Sequence, residues 1–365
     1  MGAKLARNTS RTMRAARWHG RRDVRLDEVP VPSPRADQAL IEIEWCGICG
    51  TDLEEYTDGP VTIPEVAHSL TGRRAPITLG HEIVGRVAES ARDGSGPPEG
   101  ARVIPDVVLG CGECWWCRRH EEGLCARHAV VGLHADGGLA EYVASTAATC
   151  VPVPDGLDAD VAALAEPTSV AVRALRKVPY PVGSNVLVVG AGTIGLLVIQ
   201  VARNSGASTV VAVDTKPRRR DLALALGADF ASEPDGLEKL LSEATGGVGP
   251  DVVIECSGVP GLARQAIRMT RRGGTAVLVG IHGKEEPFDL LDTVLGEKRI
   301  VGSAAHLWDE DVATAVDLLA RGRIDGRPLL TTHLPLERVV EGIGILEDPA
   351  SDVLKVLVTP SPSAR

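Results

Sequence analysis

Four cysteines, Cys111, Cys114, Cys117 and Cys125, stand at C-x2-C-x2-C-x7-C within GCGECWWCRRHEEGLC. Thiolates at these gaps, with Gly110, Gly112 and Gly123 letting the chain turn tightly between them, suit a closed tetrahedral Zn2+ site. A closed site leaves no position for a substrate, so its task is to fold a lobe. Ferredoxin-type iron–sulfur runs also begin C-x2-C-x2-C, but they place the fourth Cys three residues on and follow it with Pro. Here the gap is seven and Ala126 follows. Four unrelated buried cysteines would not recur at two-residue gaps. The chain holds eight cysteines and shows no signal peptide, so thiols are expected rather than disulfides.

A second constellation lies further upstream. His81 and Glu82 open GHEIVGRV, yet a zinc protease needs a second His four residues on, and Gly85 stands there. Cys49, His81 and a carboxylate from elsewhere would instead make a zinc with three protein ligands and one open position, the arrangement of a catalytic site. Glu166, in LAEPTSVAVRAL, is the candidate carboxylate. Taken alone, His81 reads as an ordinary core histidine; the dinucleotide fingerprint carried by the same chain is what raises it.

The third is SNVLVVGAGTIGLLVIQVARNSGASTVVAVD, residues 184–214. A short strand over 186–189, then GAGTIG, then an apolar helix over 193–203 and a strand over 209–213 give the context that a dinucleotide turn requires. Gly190 permits the tight turn, Gly192 lets backbone amides approach a pyrophosphate, and Gly195 lets the helix pack on the strand. Thr193 and Ile194, between them, open a helix whose N-terminus favours an anion. Asp214, 24 residues past Gly190, is placed to accept both ribose hydroxyls of NAD and to repel a 2′-phosphate. Lys216 and Arg218 close behind are counted with the cofactor site, and they keep NADP open, since they could meet a phosphate.

These residues need elements to hold them. DVVIECSG and TAVLVG read as further apolar strands with glycine turns, alternating with helical stretches such as 262–271, so the middle of the chain is expected to be a doubly wound parallel sheet. The N-terminal half reads as β-rich, with MRAARWHG as its first strand. At 365 residues, two domains are the natural expectation. Hydrophobic residues at 44% and charged residues at 24% exclude disorder for most of the length. A net charge of −10 opposes binding to nucleic acid and acidic membrane surfaces. No run approaches the roughly 18 apolar residues of a membrane span, so a cytoplasmic protein without membrane partners is expected. N-myristoylation after Gly2 fails on Ala6, where Ser or Thr is needed.

The order GICGTD, GHEIVGRV, four-cysteine lobe, and EP before GAGTIG resembles the zinc-dependent medium-chain dehydrogenase/reductase family. TDLEEYTDGPVTIPEVAHSLTGRRAPITLGHE looks most like its 2,3-butanediol and polyol (sorbitol-like) dehydrogenases. The likeness runs from Met13 to about Val358, including KRIVGSAAH and IDGRPLLTTHLPLERVVEGIGIL. It implies a GroES-like β-barrel catalytic domain over 13–166 and 302–365, a Rossmann NAD-binding domain over 167–301, and a flexible extension over 1–12.

The resemblance also implies roles. Cys49, directly before GTD, is the ligand thiol, and Cys46 is left as its neighbour. Thr51 receives the substrate proton, Glu166 is the fourth ligand, and Glu82 is a conditional ligand that binds zinc directly or through water. Relatives read LHEY after GTD and pass the proton through that His; this chain reads LEEY, with Glu54 in its place. The activity implied is hydride transfer between a secondary alcohol (a vicinal diol, polyol or cyclitol-like compound) and NAD, with two zinc ions per chain. Tyr56, Ile281 and His282 are candidates for the pocket wall. A homodimer or homotetramer is expected, through an edge strand near 294–301. Two other readings stay open: a zinc-free quinone or enoyl reductase of the same fold, and a non-catalytic protein that binds zinc and NAD.

Overall fold

Strands whose faces are both covered read as unbroken apolar runs, and in the computed structural model the run VLVV becomes the central strand Asn185–Val189 of a six-stranded sheet. The structure describes residues 11–179, 182–281, 283 and 285–360. Of the extension expected over 1–12, residues 1–10 lie outside the described residues, while Thr12 already opens the strand Thr12–Gly20. The chain divides into two compact units, Met1–Ala163 with Leu330–Arg365, and Leu164–Leu329.

In the first unit, strand Gln38–Gly47 is the organising element. It pairs antiparallel with Glu82–Glu89, with Tyr142–Thr146 and with the late strand Lys355–Thr359, which brings the two ends of the chain into one sheet. The register sets Gly47 opposite Glu82 on one side and opposite Leu357 on the other. Ile41, Ile43, Ile83, Val87, Val356 and Val358 fill the core beneath it.

The second unit is a wholly parallel sheet in the order Phe230–Ser232, Thr209–Val213, Asn185–Val189, Val252–Glu255, Thr275–Leu278, Arg299–Gly302. The strand order reverses beside Asn185–Val189. A ligand crevice belongs there, outside the carboxyl ends of the strands.

Two boundaries differ from the sequence reading. Residues 302–329, expected in the catalytic domain, belong to the second unit. The reason is packing: Asp311 pairs with Arg173 and Arg176 of the helix Ala165–Arg176, and Arg176 also reaches Thr314 at 3.1 Å. Likewise Ala165 and Glu166 begin that helix and go with it. The expected edge strand over 294–301 is in fact two elements. The Asp289 side chain accepts the Asp292 N–H and so caps a helix, Leu290–Leu295, which ends at Gly296; the strand is only Arg299–Gly302. It is nonetheless the edge of the sheet.

Candidate functional site

The helix Gly50–Asp58 begins with a reciprocal cap. Cys49 is its N-cap, and the Cys49 N–H donates to Asp52 Oδ2 at 2.9 Å, so the GTD motif is a helix start with its acid at the third position. Cys49 Sγ therefore sits at a helix N-terminus. Thr51 Oγ1 lies 3.5 Å from that sulfur. Asp52 is fully buried, accepts the Gly80 N–H through Oδ1 at 3.3 Å, and stands 3.7 Å from His81 Nδ1. Burial raises its pKa, and the nearby imidazole pulls it back. A carboxylate behind one imidazole nitrogen is the arrangement that orients a metal-ligating histidine through the other. The donor chemistry of Cys49 and His81 thus fits zinc. Sequence reasoning did not single out Asp52, although its place three residues after Cys49 was a legible capping signal.

Cys46 differs. It is wholly buried and burial pushes its thiol well up, the environment of a core thiol. Glu82 is also buried, and its carboxylate is drawn to Lys355 Nζ at 2.5 Å. Among the described residues, only Cys111, Cys114, Cys117 and Cys125 form a group of three or more His, Cys, Asp or Glu with donor atoms within 4.8 Å of one another. Cys49, His81 and Glu82 are not drawn that close. Glu166 is the second residue of the helix Ala165–Arg176 and is 9% exposed.

Glu54 follows Thr51 at i+3, so the two share a helix face. It is half-buried, and its pKa is raised by burial and then by the charges of Glu55 and Asp58. Its neighbour Glu55 is engaged otherwise, accepting the backbone N–H groups of Val61, Thr62 and Ile63. Of the wall candidates, Tyr56 carries the Arg22 guanidinium over its ring at 5.5 Å, Ile281 is 63% exposed, and His282 lies outside the described residues.

The four-cysteine lobe is closed over its own sulfurs. A tetrahedral ion with Zn–S bonds of about 2.3 Å sets its sulfurs roughly 3.8 Å apart. Here Cys114 and Cys117 are 3.5 Å apart and Cys111 and Cys117 are 3.9 Å apart, far beyond a disulfide and close to that edge length. A Cβ at Gly110 would come within 2.7 Å of Cys117 Sγ, so only glycine lets this strand end approach. Burial pushes the Cys117 thiol up to about 12, while the Glu113 backbone N–H, ahead of Arg127, brings Cys111 down to about 6.

In the second unit Gly190 turns at φ 91°, and a Cβ at Gly195 would lie 1.8 Å from the Gly190 carbonyl oxygen. Gly192 is different: among the described residues, apart from its own chain neighbours, nothing lies within 4 Å of where its Cβ would stand. Its side is left open in front of the helix Thr193–Asn204, with Thr193 and Ile194 in the first turn, as an approaching pyrophosphate requires. Asp214 directly follows the next strand, Thr209–Val213; its Oδ2 accepts the Ala191 N–H at 2.8 Å and its Oδ1 the Lys216 N–H at 2.9 Å. Arg219 Nη1 stands 3.8 Å from it, and Arg218 is exposed.

The zinc-binding dehydrogenase family matches residues 193–321, and the alcohol dehydrogenase GroES-like domain matches residues 35–155. (R,R)-butanediol dehydrogenase of Bacillus subtilis (strain 168) is 35% identical over 355 residues, spanning 96% of this chain and 100% of that protein. A sorbitol dehydrogenase of Halalkalibacterium halodurans is 30% identical, spanning 94% and 97%. Among solved structures, a zinc-binding dehydrogenase from Sinorhizobium meliloti 1021 bound to NADP superposes with a TM-score of 0.86 at 31% identity, over 96% of this chain and 100% of that one.

Proposed function

The chain belongs to the zinc-dependent medium-chain dehydrogenase/reductase family, and on that premise we propose that it transfers hydride between a vicinal diol, polyol or cyclitol-like secondary alcohol and NAD. It is a dehydrogenase acting on CH–OH groups, with a GroES-like unit and a Rossmann sheet. The observation that carries the proposal is the buried Asp52, which at once caps the Cys49 helix and backs His81. The names of the butanediol and sorbitol dehydrogenases support the substrate class.

Two zinc ions per chain are proposed. Cys111, Cys114, Cys117 and Cys125 hold one for folding; Cys49, His81 and Glu166 hold the other, with Glu82 as a ligand in reserve. The second zinc, when bound, supplies the Lewis acidity that lowers the pKa of a substrate hydroxyl, and the nicotinamide supplies the hydride acceptor. The chain does the rest. Cys49 and His81 fix where the hydroxyl sits, Thr51 accepts its proton, and Glu54, one turn on, takes it towards solvent. Gly190, Gly192, Thr193, Ile194 and Gly195 receive the pyrophosphate, and Asp214 accepts from the adenosine ribose, which favours NAD. Arg218 flanks that ribose.

A homodimer or homotetramer is part of the same reading. Leu290, Leu291, Val294 and Leu295 are 59–70% exposed next to the edge strand Arg299–Gly302, an apolar face that a second copy would cover. No helix among the described residues is long and apolar enough to cross a membrane, and a cytoplasmic location is proposed.

The test is NADH formation by zinc-replete protein across vicinal diols, sugar alcohols and cyclitols, with acetoin-type ketones in reverse. Turnover that disappears in Cys49→Ser is expected. Turnover undiminished after removal of all zinc would transfer the chain to the zinc-free reductases, and none on any substrate would leave the non-catalytic reading.

A further inference from the structure

We propose that His306 is a positioning residue for Glu166, and that residues 303–312 are built to present that carboxylate. The inference rests on the reading of Glu166 as a metal ligand. Both residues lie in the second unit.

Glu166 is an acid with only 9% of its surface exposed, and a buried carboxylate needs polar neighbours to fix it as well as to stabilise it. His306, 3% exposed, places Nδ1 at 3.6 Å from Glu166 Oε1. What brings it there is irregular backbone. After the strand Arg299–Gly302, Ala305 turns at φ 56°, a left-handed conformation that a residue with a Cβ rarely adopts. Two residues past His306, Trp308–Val312 forms a π-helical turn, a widened geometry concentrated at functional sites.

The far end of this segment is tied down on the same helix that Glu166 begins. Asp311, fully buried, accepts the Leu307 N–H at 2.9 Å and pairs with Arg173 at 3.4 Å and Arg176 at 3.3 Å. Glu310 pairs with Arg176 at 2.6 Å. Arg173 and Arg176 occupy the last turn of Ala165–Arg176, and Glu166 occupies its first. One short segment is therefore fastened to one helix at both ends, by two ion-paired acids at its C-terminal side and by an imidazole at its N-terminal side. Simple packing asks for neither the left-handed Ala305 nor the π turn. Together they hold His306 against the carboxylate while the Asp311 latch is closed.

A residue that orients a ligating side chain contributes to metal affinity, typically by 10–100-fold. His306→Ala is therefore expected to weaken the more weakly held of the two zinc ions by about 10–100-fold, measured by chelator competition on the holoenzyme, with kcat falling in step and the four-cysteine zinc unmoved. His306→Asn, which keeps a polar atom near the Nδ1 position, should recover most of the affinity, and His306→Leu, which keeps bulk without a polar atom, is the working variant if the alanine form does not fold. Zinc affinity equal to wild type in folded His306→Ala or His306→Leu, whatever its thermal stability, overturns the inference and assigns His306 to packing. Glu166→Ala separates the two levels: if it too leaves zinc affinity unchanged, Glu166 is not a ligand and the reading beneath the inference falls with it.

Discussion

Lys355 reaches Glu82 across an intervening strand, with Nζ 2.5 Å from Oε1 and 3.0 Å from the Ile48 carbonyl oxygen, both side chains almost fully buried. The strand between them makes room. Gly47 stands opposite Glu82, and a Cβ there would lie 1.9 Å from Glu82 Oε2. The residue expected as a conditional metal ligand is thus held as the counter-ion of an ammonium contributed by the late strand Lys355–Thr359.

Removing one partner of such a pair leaves a buried charge uncompensated, at a cost of about 3–5 kcal/mol. Lys355→Met should destabilise the zinc-replete protein by that order in urea unfolding. Adding Glu82→Leu should restore most of it, because two apolar groups replace the pair. Equal losses in the single and double variants would show that the pairing itself matters little.

The four-cysteine lobe and the Cys49 site should separate cleanly. Cys114→Ser breaks a closed tetrahedral set and should lower the melting temperature and solubility, whereas Cys49→Ser should abolish turnover in a protein that still folds. Elemental analysis should give two zinc ions per chain in the wild type and one in each variant. A value of one or none in the wild type contradicts this.

Asp214→Ser should weaken NAD and improve NADP. The carboxylate already takes two backbone N–H groups, from Ala191 and Lys216, so its oxygens are oriented before any ribose arrives. Loss of charge-assisted hydrogen bonds is worth on the order of tenfold or more in affinity. Arg219, 3.8 Å from Asp214, is then left to a 2′-phosphate without a competing anion. The check is kcat/KM for both cofactors, and a wild-type preference for NADP ends the argument.

What the sequence made legible was local. The turn Gly190–Gly195 and strand Thr209–Val213 follow from short-range periodicity, and the cysteine lobe from four ligands within fifteen residues. Lys355 and Glu82 are 273 residues apart and meet only through strand register, which no single segment encodes. His306 reaches Glu166 through a left-handed alanine that composition does not announce. The edge strand expected over 294–301 on the family resemblance begins only at Arg299, because the cap at Asp289 commits Leu290–Leu295 to a helix. Lys355, a single cation in the apolar strand KVLVT, was the signal available and unread.

His134 makes stability depend on pH. Burial lowers its pKa from 6.5 to about 4, helped by the charges of His68 and His128, whose rings lie 4.9 and 6.1 Å away, and opposed by Glu55. Its Nδ1 accepts the Val130 N–H at 3.1 Å, so the folded state wants the neutral ring. The unfolded chain takes up the proton first as pH falls, so this contribution is complete above about 6.5 and is lost from there towards about 4. His134→Asn can accept the same N–H without titrating. Its melting temperature should fall less than that of wild type between about pH 7 and about pH 5, and parallel curves would remove His134 from the account.

The last prediction concerns the proton's route out. Glu54 replaces the His of the LHEY pattern, shares a helix face with Thr51, and is half-buried, whereas Glu55 is spent on the turn Val61–Ile63. A carboxylate accepts a proton only while ionised. Burial and two neighbouring acids raise the Glu54 pKa, which keeps it a stronger base than a solvated glutamate and moves its loss of function to higher pH. If Glu54 is the terminal base, Glu54→Gln should slow alcohol oxidation most between that raised pKa and neutrality. The gap should close at high pH, where hydroxide takes the proton directly, and again at low pH, where wild-type Glu54 is itself protonated. The measurement is kcat against pH for both forms, with zinc content held equal. Superimposable profiles would mean that Glu54 only faces water and that the relay ends before it.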